Sequence, residues 1–169
     1  LSLYVSISAL IIASILGLLI GYYIALKKFL FKSFILIVLN SLMGIPPVVV
    51  GLIVYFMFAS GGPLGVLQLL YTPTAMIIAQ VIITFPIVTS ISHEIFDQNW
   101  REYKDQLRSI NMPFFGVAFI ITKHSYFLVI TALLSAFGRA ISEVGAVMIV
   151  GGNIDHFTRV MTTAISLET

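Results

Sequence analysis

The 169-residue sequence is 59% hydrophobic and only 9% charged, with a mean hydropathy of +1.08, which excludes an ordinary soluble domain, where about a quarter of residues are charged. The formal net charge of +2 comes from dispersed rather than clustered basic residues, which argues against a nucleic-acid partner. The absence of cysteine removes disulfide frameworks, thiolate zinc sites and cysteine nucleophiles. A polytopic all-α membrane bundle is expected, because neither Leu1 to Leu26 nor Ser33 to Ser92 contains a charged residue or a histidine and a span needs roughly 20 apolar residues.

Leu3 to Leu26 is the first predicted span. It lacks a basic leading segment and is too long for the core of a signal peptide. Gly17 and Gly21 form a small-xxx-small face on which another helix can approach closely. Lys27, Lys28 and Lys32 close the span, and by the positive-inside rule their loop is cytoplasmic. Ser33 to about Ser60 is the second span, interrupted by Gly44, Pro46 and Pro47, where proline removes backbone donors. Carbonyls freed there are tolerated against protein or a water-filled cavity. Asn40 to Gly51, with Asn40, Gly44, Pro46, Pro47 and Gly51 as its marked positions, therefore either lines a pathway or forms a packed kink.

Gly61, Gly62, Pro63 and Gly65 make an uncharged outer turn. A third span, about Thr74 to Ser92 with a possible kink at Pro86, returns the chain to the cytoplasm at His93. The last span is predicted over Ser125 to Ile149, with Gly151, Gly152, Asn153 and Asp155 at its outer end. Thr158 to Leu167 reads as the start of a further helix.

Of the sixteen Asp, Glu, Lys and Arg residues, seven lie between His93 and Met112. Within this block Phe96, Trp100, Tyr103, Leu107 and Ile110 recur at alternating steps of four and three, the pattern of one helix face. The stripe either folds back on the bundle or rests on lipid headgroups. At the end of the block Asn111 tolerates left-handed geometry, and Pro113 disfavours helix at Met112 and can open a new one. The spacing predicts a helix, a sharp turn at Asn111 and a second short helix to about His124.

These residues resemble the permease subunits of bacterial ABC importers, and within them the molybdate and tungstate branch. That family carries a cytoplasmic loop of the form EAA, three residues, Gly-Ala, whose helix docks on the ATPase. The aligned stretch here is DQLRSINM: Asp105 stands in place of the Glu, Gln106 and Leu107 replace the alanines, and Asn111 and Met112 replace Gly-Ala. NSLMGIPPVVVGLIVYFMFASGGPLG at Asn40 to Gly65 and FGRAISEVGAVMIVGGNI at Phe137 to Ile154 match more fully, and TRVMTTAI at Thr158 to Ile165 looks more like tungstate than molybdate permeases.

The resemblance implies a type I permease fold in one transmembrane domain over residues 1 to 169, corresponding to spans two to five of a six-span pattern and so a fragment at both ends. It also implies a coupling loop over residues 93 to 124, with Glu102, Asp105, Gln106, Leu107, Asn111 and Met112 at the ATPase. The implied partners are an ABC ATPase subunit, an extracytoplasmic solute-binding protein, a second permease copy and membrane lipid, in the plasma or inner membrane of a bacterium or archaeon. The expected cargo is tungstate, with molybdate or sulfate as alternatives.

Arg139 and Glu143 are one helical turn apart in the last span. They are expected either to form an i, i+4 ion pair near the cytoplasmic end or to shape the inner mouth of the pathway, since charges in lipid find partners. His93, His124 and His156 are separated by the predicted topology, which argues against a shared metal site. No glycine-rich loop ending in Gly-Lys-Ser/Thr occurs, so no cofactor is expected on this chain and ATP would be used by a partner. A secondary transporter would carry ionisable residues at mid-membrane, and a membrane enzyme would need a convergent catalytic set, which is not visible here.

Overall fold

The computed structural model describes residues 1–154, 158, 160 and 161, and all regular structure among them is helical. Among the described residues seven α-helices follow one another: α1 (Ser2–Leu26), α2 (Lys32–Met43), α3 (Pro47–Phe58), α4 (Pro73–Ser109), α5 (Phe114–His124), α6 (Tyr126–Ser142) and α7 (Gly145–Gly151). The predicted helix over Thr158 to Leu167, like Asp155 and His156, lies outside the described residues except for Thr158, Val160 and Met161.

The bundle is built on α1 against α4. Val5, Ala9, Ala13, Gly17, Gly21 and Ala25 recur every fourth residue, and every one of them is buried. In lipid there is little hydrophobic drive between helices, so close backbone approach supplies the packing energy. A methyl group at Gly17 would lie 2.8 Å from the Val88 Cγ1, and one at Gly21 would lie 2.9 Å from the Thr89 carbonyl oxygen. The small-residue face predicted from the sequence is thus the seam of the fold.

The 37 residues of α4 make one helix where the sequence suggests a span followed by a separate amphipathic element. At ~1.5 Å per residue it runs roughly 55 Å, nearly twice the ~30 Å of a bilayer core. Thr72 opens it, its hydroxyl accepting from the Ala75 amide, with Pro73 in the first turn. The helix needs no boundary at His93, because nothing between Ser92 and Asp97 breaks the backbone ladder. The polar block is therefore the C-terminal half of this helix.

Two predicted spans are broken. α2 and α3 are each 12 residues long and meet at 100°, so neither, at ~18 Å, crosses a ~30 Å core alone. The interruption at Gly44 to Pro46 is a sharp corner. The predicted last span divides into α6 and α7, since Glu143 has extended backbone (φ −76, ψ 120), and α5 meets α6 at 80°. Among the described residues, two helices are long and apolar enough to cross a membrane, or up to four if each bent pair forms one span.

Candidate coupling knuckle and translocation face

The end of α4 is held by a complete Schellman motif. The Asn111 amide donates to the Arg108 carbonyl at 3.0 Å and the Met112 amide to the Leu107 carbonyl at 3.2 Å. Asn111 sits at φ 47, the left-handed geometry expected from its type, and Met112 packs back on the core that contains Leu107, the apolar contact that accompanies this motif. Pro113 caps α5 with extended backbone. The predicted knuckle is present, with its turn at Asn111.

Its aromatic stripe folds onto the bundle. Phe96 and Leu107 are buried with Tyr22, Val117, Ile121 and Val129, and Trp100 and Tyr103 are half-buried against the same core. Tyr22 meets the edge of Phe96 at 5.7 Å. Tyr103 Oη lies 3.1 Å from His124 Nε2, clasping the far end of α5. Ile110 departs from the stripe: the helix ends at Ser109, and Ile110 is 61% exposed.

The coupling residues expected from the resemblance therefore divide. Glu102, Asp105, Gln106 and Asn111 are exposed, Met112 is half-buried, and Leu107 points inward, only 7% exposed. The apolar side chains that do face outward at the knuckle are Ile110, Phe115 and Phe119, the last two 84% and 69% exposed. Phe115 and Phe119, four apart on α5, make a projecting pair. Sequence reading passes over them because an i, i+4 aromatic pair looks like a core face.

The start of α2 is clamped to the knuckle's base. Lys32 Nζ donates to Asp97 Oδ1 at 3.1 Å and to the Ala25 carbonyl at 3.3 Å, while Arg101 pairs with Asp97 Oδ2 at 2.7 Å. Burial alone would raise the Asp97 carboxyl, but the Lys32 hydrogen bond and the charges of Lys32 and Arg101 outweigh it and hold it below the usual carboxylate range. A depressed folded pKa contributes its stability above the unfolded value of about 4 and loses it as pH falls through the folded value. Asp97→Asn should cost about 1–2 kcal/mol at neutral pH. Nearly all of that comes from Lys32, because the Arg101 side chain is 78% exposed. Thermal unfolding in detergent checks this: the gap between wild type and variant should close below about pH 4.

The predicted pathway residues are spread over α2, the corner after it and α3. Asn40 is exposed and hydrogen-bonded to Ser90 across α2 and α4, at a polar cavity of about 380 Å³ that His93, Glu94 and Arg101 also line. Gly44 is the exposed C-cap of α2, and Pro46 and Pro47 open α3. Gly51 is buried where α3 meets α7: a methyl group there would lie 2.7 Å from the Ala146 Cα. Gly145 abuts Val48 in the same way, at 2.6 Å. The α2–α3 corner and the α6–α7 break thus face each other.

The expected Arg139–Glu143 ion pair does not form. The helix ends at Ser142, so the i, i+4 geometry is lost. Glu143 is buried and its carboxylate accepts from the Ala146 amide at 3.4 Å, capping α7. Arg139 is exposed and borders a small cleft with Met43, Ile45 and Ile83. It lies about 20 Å along α6 from Tyr126, in the last turn of the helix. The neighbouring Ala140 carbonyl accepts from Gln80 Nε2 at 2.9 Å and from Ser6 Oγ at 3.5 Å.

Two features here escape sequence reading. Gln80, only 3% exposed, ties α4 to the end of α6 through a carbonyl released by the break at Glu143. Thr131, Ser135, Gly138, Arg139 and Ser142 make an exposed polar stripe on α6, opposite the buried Val129, Ala132, Ala136 and Ala140. The period-3.6 recurrence of hydroxyls was the signal available for it.

An all-helical bundle with broken spans and a capped helix–turn–helix at the end of its longest helix has an architecture suited to the transmembrane subunit of a transporter. Residues 13–168 match the family of binding-protein-dependent transport system inner membrane components, and the chain belongs to it. It is an integral membrane ABC permease subunit, a class that transports and is not itself catalytic. It is 40% identical over 172 residues to a probable anion ABC transporter permease protein of Haloferax volcanii, covering 99% of this chain and 74% of that one. It is likewise 40% identical to the tungstate uptake system permease protein TupB of Peptoclostridium acidaminophilum, covering 99% and 73%. With the TupB of Campylobacter jejuni it shares 37% identity over 84% of this chain and 59% of that one. Permeases of this family work with an ATPase and a binding protein.

Proposed function

We propose that this permease imports an oxyanion, tungstate, as one half of a symmetric dimer that alternates between outward and inward openings. The observation that carries this reading is Arg139: an exposed arginine in the last turn of α6, flanked by hydroxyls and beside the break at Glu143. A cation so placed is costly against lipid and at home in a water-filled path for an anion. Thr131, Ser135 and Ser142 supply hydroxyls suited to tetrahedral oxyanions. Asn40, Gly44, Pro46, Pro47 and Gly51 shape the opposite wall, and Glu143 fixes α7. Two relatives at 37–40% identity bear tungstate in their names, whereas one named for sulfate transport is 25% identical.

ATP hydrolysis falls to a separate subunit, since the chain has no phosphate-binding loop of the Gly-Lys-Ser/Thr type. The segment 93–124 is the coupling element. Glu102, Asp105, Gln106, Ile110, Asn111, Phe115 and Phe119 face the ATPase, while Leu107 and Met112 hold the turn from behind.

The reconstituted complex tests the cargo. Tungstate-loaded binding protein should stimulate ATP hydrolysis, and Arg139→Gln should lower tungstate uptake about tenfold or more, the loss of one well-placed charge contact. Stimulation by molybdate or sulfate but not tungstate would reassign the substrate.

A further inference from the structure

A cavity of about 480 Å³ opens at the cytoplasmic end of α1, where the cations Lys28, Lys32, Arg101, Lys104 and Arg108 face one carboxylate, Asp97. That carboxylate is already shared by Lys32 and Arg101. The remaining positive charge has no counter-ion in the cavity wall, and like charges held this close repel one another. The Arg108 guanidinium is held over the Trp100 ring at 5.6 Å, which keeps its planar fork available for a phosphate-type oxyanion.

The rest of the wall is apolar. Ala25 and Leu26, the last two residues of α1, and Trp100 complete it. From Leu26 the same face of α1 continues through Tyr23 and Leu19, spaced by three and four residues and 53% and 63% exposed. A strip of exposed apolar side chains therefore ends at a cluster of cations, beside a tryptophan of the kind found at membrane interfaces. A freely diffusing phosphate would use the cations and leave the strip unexplained. A phospholipid uses both.

We propose that this cavity binds the phosphodiester headgroup of an anionic glycerophospholipid of the cytoplasmic leaflet, with an acyl chain lying along Leu26, Tyr23 and Leu19. The bound lipid neutralises the cations between the first loop and α4, and so braces the base of the knuckle where Lys32 already joins Asp97. The site is independent of the transported anion.

Trp100 is the single tryptophan of this sequence and, with any tryptophan outside residues 1–169 replaced by phenylalanine, reports on the site directly. The full permease is placed in nanodiscs containing acyl-brominated phosphatidylglycerol or acyl-brominated phosphatidylcholine at matched mole fraction, and quenching of Trp100 is compared. Phosphatidylglycerol should quench preferentially, and the preference should fall about fivefold for each cation removed in Lys28→Gln and Lys104→Gln. Quenching by phosphatidylcholine should stay the same in the variants, which shows that they fold and insert. Equal quenching by the two lipids in the wild type, or a preference that survives both substitutions, would overturn the proposal. Loss of the phosphatidylglycerol preference on adding millimolar inorganic phosphate would also overturn it, by assigning the cavity to a soluble anion.

Discussion

Gly21→Leu should leave little folded permease in the membrane. The side chain would have to occupy space held by backbone: a Cβ at Gly21 lies 2.9 Å from the Thr89 carbonyl oxygen and 3.1 Å from the His93 amide nitrogen. No rotamer change relieves a clash with two backbone atoms, so α1 must move away from α4 along a seam packed by a small residue every four positions. Overpacking of this kind costs about 1–3 kcal/mol, and more where the neighbour cannot yield. Gly17 meets the Val88 side chain first, so Gly17→Ala should be milder than Gly21→Ala. Gly138 has no neighbouring atom within 4 Å of a Cβ, so Gly138→Ala is the control and should leave stability unchanged. Membrane-fraction yield and thermal unfolding in detergent read all four variants.

Asn111→Val should have the second large effect, on coupling rather than assembly. A β-branched residue at φ 47 pays roughly 1–2 kcal/mol for left-handed backbone, and the two Schellman hydrogen bonds depend on that geometry. The knuckle then loses its fixed angle between α4 and α5. Uptake per ATP hydrolysed should fall on the order of tenfold, with hydrolysis by the partner subunit continuing. Asn111→Gly should keep wild-type coupling, because glycine adopts this conformation without strain. A loss in the glycine variant equal to that in the valine variant would mean that the asparagine side chain itself makes the contact.

That turn was legible because three adjacent residues, Asn111, Met112 and Pro113, each constrain the backbone locally. The corner at Gly44 to Pro47 was legible for the same reason, although its 100° angle is set by how α3 packs on α7 through Gly51 and Ala146. The continuity of α4 was not legible, since a change from apolar to charged side chains resembles a boundary while the backbone ladder runs on. Nor was the break at Glu143. No proline marks it, and it depends on Gly145 fitting against Val48 from a distant part of the chain. With it went the expected pairing of Arg139 and Glu143, which assumed an unbroken turn. Leu107 reads as a docking residue by alignment and as a core residue by periodicity, and its burial follows the periodicity.

In the proposed mechanism the knuckle, and no outer loop, meets the ATPase. Residues 1–169 contain no cysteine, so a single cysteine placed among them is the one thiol of this stretch in cross-linking of the assembled transporter. Gln106→Cys and Ile110→Cys, both exposed on the knuckle, should cross-link to cysteines in the ATPase subunit, and Ser60→Cys, exposed in the loop after α3, should not. Cross-linking at Ser60, or none at either knuckle position in a complex that still hydrolyses ATP, would contradict it.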